Sequence, residues 1–143
     1  MWVVYALLAS MVWGLDYVLA GRLLQERIAP LTLLALQMLV GGAVFLVTAC
    51  FSTLKADLGV ISSNRSTLIA TIGAIGAFAI GNFLIALSIQ AKNATLAGLI
   101  EISYPIFIAL FSLLLFKEAH ASPSVLLGCL FIFIGVAMVY AYN

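Results

Sequence analysis

Charge is what this sequence has least of: 8% of its 143 residues are Asp, Glu, Lys or Arg, against 66% that are hydrophobic. A soluble domain carries about a quarter charged residues, so no stretch of the chain is left over to form one. The few basic and acidic residues nearly cancel, at a formal net charge of +1, and no nucleic-acid partner is expected. Cysteine is sparse too: Cys50 and Cys129 both fall in apolar runs, with none of the spacing of a zinc site or redox pair. The single histidine, His120, stands near Glu118 in a polar connection and reads as a solvated residue. No cofactor and no metal are expected.

What is present instead is apolar sequence in lengths that fit a bilayer. A helix needs about 20 residues to cross roughly 30 Å of hydrocarbon, and such stretches recur at 2–23, 31–51, 66–90, 94–116 and 123–142. The chain is therefore expected to be an all-α integral membrane protein with one five-helix domain over 1–143. The first span starts without a basic leader and contains Asp16, so it reads as a retained helix and not a cleaved signal. Boundary chemistry supports the count. Pro30 suits the first position of span two, Asn93 can cap span four, and Ser122 can cap span five with Pro123 behind it. The polar stretch 52–65 is predicted to be a surface loop.

An excess of Lys and Arg on the cytoplasmic side normally sets orientation. Here Lys55, Arg65 and Lys117 fall on the side of the amino terminus and Arg22, Arg27 and Lys92 on the other, three against three. An odd number of spans also places the termini on opposite sides. One chain inserted both ways would give two protomers of opposite orientation, and their pairing would make an inverted repeat of the kind many secondary transporters use. A fixed orientation that the charge rule does not report is the alternative.

Charged groups in hydrocarbon are costly and usually face a cavity or the bundle interior. Two acids lie inside spans: Asp16, past the centre of span one, and Glu101, before the centre of the oppositely directed span four. At about 1.5 Å rise per residue, both fall roughly 5 to 6 Å from the midplane and on the same side. Gln37 in span two and Asn82 in span three reach a similar depth. Asp16, Gln37, Asn82 and Glu101 are expected to line one water-accessible pocket, because separate exposure to lipid would leave several polar groups unsatisfied. No Lys or Arg lies deep in a span, and desolvation without a counter-ion favours the protonated form of a carboxyl group. That is the behaviour a proton-coupled carrier requires.

Pro105 stands four residues after Glu101 and has no N–H to give to the carbonyl of Glu101. The freed carbonyl and the carboxylate make a cation-attracting point, with Ser103 and Tyr104 adding hydroxyls nearby, and Pro105 is predicted to kink the helix where a gate could move. An ordinary proline kink beside a protonated glutamate is the plainer reading. Trp13 falls within about 60° of Asp16 around the helix and Tyr5 within about 40°, so aromatic rings that attract cations share the face of the acid. Small residues mark expected helix contacts: Gly73, Ala77 and Gly81 on span three, Gly128 and Gly135 on span five.

Several of these features stand together in a known pattern. Ala94-Thr95-Leu96-Ala97, Tyr104-Pro105-Ile106-Phe107, the Leu-rich run ending in Lys117-Glu118, and Gly128 with Gly135 resemble the second part of an EamA-like unit of the drug/metabolite transporter superfamily. Trp13-Gly14 and Pro30-Leu31 extend the likeness over nearly the whole chain. The resemblance implies a five-helix unit that larger members carry twice, in opposite orientations, around a central substrate site reached alternately from either side. An acid at position 101, and Gln37 where a basic residue is often found, depart from the pattern and leave the substrate unspecified.

The expected activity is secondary transport, proton-coupled, of a small cationic or zwitterionic metabolite or drug, by an antiparallel homodimer in a prokaryotic plasma membrane. The lack of intramembrane Lys and Arg argues against phosphorylated substrates. An assembly subunit that transports nothing without a different partner chain is the second reading. An intramembrane aspartyl hydrolase is a third, disfavoured because the pair is Asp with Glu and no Gly-x-Gly-Asp signature is present. No enzymatic activity is expected.

Overall fold

A computed structural model describes residues 1–117 and 122–142; Glu118 and His120, read above as loop residues, lie outside them. The described residues contain the helices α1 (Trp2–Gln25), α2 (Pro30–Cys50), α3 (Leu54–Ser63), α4 (Arg65–Ala91), α5 (Ala94–Glu101), α6 (Tyr104–Phe111) and α7 (Pro123–Tyr142), with a π-helical turn over Ser112–Phe116 after α6. Five stretches are long and apolar enough to cross a membrane: Trp2–Gln25, Pro30–Cys50, Arg65–Ala91, Ala94–Phe116 and Pro123–Tyr142.

Helix ends carry the chemistry their residues allow. Pro30 occupies the first turn of α2, where a missing N–H costs nothing. Asn93 accepts from the Leu96 amide at 2.8 Å, Asn64 from the Ser66 amide at 2.9 Å, and the Ser122 hydroxyl from the Val125 amide at 3.4 Å. At the end of α1, Arg27 takes a left-handed φ of 69°. The Arg27 amide then reaches the Leu24 carbonyl at 3.2 Å and the Ile28 amide reaches the Leu23 carbonyl at 3.3 Å. This is the double bond of a Schellman ending, formed without the usual glycine.

The stretch 52–65, expected as a loop, is mostly helix α3, lying against α4 and α2. Leu54, Leu58 and Ile61 recur at helical spacing within it, and Leu54 and Ile61 are half-buried. The polar residues between them masked that stripe, which spans less than three turns. The expected proline kink is a full interruption: α5 stops at Glu101, Ile102 and Ser103 form a turn closed by the Ser103 amide on the Ile100 carbonyl at 3.1 Å, and α6 restarts at Tyr104. Pro105 sits in the first turn of α6, where it disrupts no bond of that helix.

The core is small and displaced to one end. Ala20 and Leu24 of α1, Leu33 of α2, Ala86 and Ile89 of α4 and Ala97 of α5 are the buried apolar residues. All belong to the half where the α1–α2 and α4–α5 connections lie. Close approach there rests on two glycines. A Cβ on Gly21 would stand 3.3 Å from the Ala94 Cβ, and one on Gly98 would stand 3.4 Å from the Tyr17 ring. A Cβ at Gly73, Gly81, Gly128 or Gly135 would meet nothing within 4 Å among the described residues. Toward the opposite end residues such as Phe45 and Phe51 are exposed.

That contrast gives a prediction. Gly21→Leu overpacks a filled site and should cost about 1–3 kcal/mol, whereas Gly73→Leu enters open space and should cost the isolated chain nothing. Thermal unfolding of detergent-solubilised variants separates the two; equal losses would mean that Gly21 does not set the α1–α5 approach.

Candidate functional site

The antiparallel course of α1 and α2 brings Asp16 and Gln37 to one level, and the Gln37 Nε2 donates to Asp16 Oδ1 at 2.8 Å. Glutamine suits this place because it supplies a donor to the carboxylate without supplying a counter-charge. Asp16 is half-buried at the wall of a groove of about 980 Å³ between α1, α2 and α4. Trp13, Phe45 and Phe78 give the groove its aromatic wall, and Gln37 and Asn82 are its other polar residues deep in the spans. A smaller adjoining cavity, also bounded by Asp16, Gln37 and Asn82, reaches inward to Tyr17 and to the core residues Leu33 and Ala86.

Asn82 lines both spaces, but its Nδ2 is turned back to the Phe78 carbonyl of its own helix at 2.8 Å. The structure thus gathers Asp16, Gln37 and Asn82. Glu101 is not among the residues lining either space. It faces α1 from the end of α5 and accepts a hydrogen bond from the hydroxyl of Tyr17. Tyr17 follows Asp16 in sequence, about 100° around the helix, so adjacent residues of α1 engage Gln37 of α2 and Glu101 of α5.

Tyr17 was not singled out by its sequence. Two signals mark it in hindsight: it stands four residues after Trp13, whose ring meets it edge-on with centroids 6.0 Å apart, and it lies too deep in the span for an interfacial belt. Gly98, one helical turn before Glu101, leaves the room its ring occupies. Trp13 is 48% exposed and Tyr104 57% exposed, the latter on α6 beyond the break. Arg22, the cation nearest in sequence to Asp16, is engaged with Glu26 at 3.0 Å at the end of α1. The arrangement can hold a positive charge at Asp16 against aromatic rings.

Five apolar helices, one of them broken beside a carboxylate, and an acid-bearing groove define a polytopic all-α membrane protein. The EamA-like transporter family matches residues 1–141, and the chain belongs to that family. It is accordingly a member of the drug/metabolite transporter superfamily. Comparison with curated proteins and with solved structures gives no match.

Proposed function

We propose that the chain is a proton-coupled carrier of small cationic or zwitterionic metabolites or drugs. It works as an antiparallel homodimer in the plasma membrane of a prokaryote. The observation that carries the reading is the carboxylate of Asp16, held by a neutral glutamine at the wall of an aromatic-lined groove, with no Lys or Arg lining the groove.

Asp16 and Glu101 between them exchange proton for substrate. A carboxyl group neutralised by a proton, or by a bound monocation, carries no net charge through the hydrocarbon. An empty carboxylate there costs about 2.5–3.5 kcal/mol, which lowers the unloaded moving form by about 100-fold. Exchange is then favoured over leak, and a proton gradient drives the substrate. The break between α5 and α6 at Pro105, beside Glu101, is the point about which the gate moves. A second copy in opposite orientation closes the groove that one chain leaves open. The competing reading, a subunit that needs a different chain, draws on that same open groove.

Purified chain reconstituted alone into liposomes should accumulate a lipophilic aromatic ammonium compound against an imposed pH gradient. Glu101→Gln should abolish the dependence on the gradient. Absence of uptake by the lone chain would favour the subunit reading, and gradient-driven uptake that survives Glu101→Gln would overturn the coupling mechanism.

A further inference from the structure

The two intramembrane acids stand in different surroundings. Asp16 opens onto the groove with Gln37. Glu101 is half-buried against α1, outside the groove, and its carboxylate is taken up by the Tyr17 hydroxyl. The Tyr17 ring is packed against two neighbours. Its ring is held edge-on by Trp13 on one side, and on the other it fills the space over Gly98, where even a Cβ would come within 3.4 Å of it. Beyond Glu101 the chain turns at Ile102 and Ser103, so the side chain that Tyr17 grips belongs to the last residue before the broken joint.

We propose that Tyr17 is a positioning residue that divides the labour of the two acids. By holding Glu101 against α1, it leaves Asp16 as the carboxylate available to a groove ligand and reserves Glu101 for the proton. The functional meaning of this division rests on the carrier reading above, but the division itself does not. The hydroxyl donates to an ionised carboxylate more strongly than to a neutral acid, because a charge-assisted bond is about twice as strong as a neutral one. Proton uptake by Glu101 therefore loosens the grip of α1 on the joint, and proton loss restores it. A ligand at Asp16 meets no competition from Glu101 while the grip holds.

The test uses a membrane-permeant carbodiimide, which adds to protonated carboxyl groups, with the labelled positions read by mass spectrometry on the full chain in lipid nanodiscs. Tyr17→Phe keeps the ring and removes the hydroxyl. It should raise the labelling rate of Glu101 about tenfold, the scale of a lost hydrogen bond to a charged group, and leave the rate at Asp16 unchanged. Gly98→Val, which displaces the ring and keeps the hydroxyl, should unmask Glu101 in the same way. Tetraphenylphosphonium, used as a groove probe, should protect Asp16 and not Glu101 in the unaltered chain.

An unchanged rate at Glu101 in Tyr17→Phe would overturn the proposal, and so would a rise at both acids together, which reports general loosening. Protection of both acids by the probe would also overturn it, since the ligand would then reach Glu101. If the probe protects neither acid, the cation-carrier reading fails, while a selective rise at Glu101 still upholds the role of Tyr17.

Discussion

Asp16→Asn is expected to reduce the affinity for a cationic ligand about 10- to 100-fold and to bring transport by the reconstituted chain to background. The substitution removes the negative charge and little else. An asparagine oxygen can still accept from Gln37 Nε2, as Asp16 Oδ1 does at 2.8 Å, so the α1–α2 link and the groove survive. A hydrogen bond or ion pair to a charged group contributes about 1.5–3 kcal/mol, which sets the factor, and each 1.4 kcal/mol is tenfold. Asp16→Glu, which keeps the charge and misplaces it, should retain part of the binding. Trp13 lines the same groove, so quenching of its fluorescence, with Trp2 replaced by Phe to remove background, gives affinity without transport. The thermal midpoint of Asp16→Asn should not fall, because the half-buried charge it removes is itself costly to bury. Unchanged affinity with the midpoint lowered would assign Asp16 a structural task instead.

The sequence reveals most about what depends on height in the membrane. Helix rise alone puts Asp16, Gln37 and Asn82 at one level, and in the structure the first two are bonded and the third lines the same groove. Rotation about the helix axis is different. It is fixed by tertiary contact, here by Gly21 under Ala94 and Gly98 under Tyr17. Those contacts turn Glu101 toward Tyr17 and away from the groove, and nothing in the hydropathy of span four encodes that choice. Glycine contacts depend on rotation in the same way. A Cβ at Gly73 or Gly81 would meet nothing within 4 Å among the described residues, while one at Gly21 or Gly98 would touch a neighbouring helix.

Short elements were the other limit. The five spans are legible because twenty apolar residues in a row have few alternatives. Helix α3 sets the stripe Leu54, Leu58 and Ile61 among lysine, aspartate and serines, a stripe that becomes meaningful when α2 and α4 are there to receive it. The interruption after Glu101 lies between these cases. Pro105 announces a disturbance, but whether the helix bends or stops depends on local turn bonds such as that from Ser103 to Ile100.

If all five apolar helices span, Lys55, Arg65 and Lys117 fall on one side of the membrane and Arg22, Arg27 and Lys92 on the other, and the bias that normally fixes a topology is then absent. A single chain leaves the aromatic wall of its groove exposed, including Phe45 at 77% and Phe78 at 57%, and an inverted copy would cover it with a surface of the same chemistry. Charge added to one side should then be decisive. Ser62→Lys with Ser63→Lys, at the end of α3 on the side of the amino terminus, should commit every chain to one orientation and abolish transport. Co-expression with a chain biased the opposite way should restore it.

A reporter fused to the carboxyl terminus of the unaltered chain tests this most directly, through one fusion active only in the cytoplasm and a second active only outside it. The account predicts substantial signal from both fusions, in amounts that shift strongly with one or two added lysines. Signal from one side alone would contradict the antiparallel homodimer and require a partner of opposite orientation encoded by another chain.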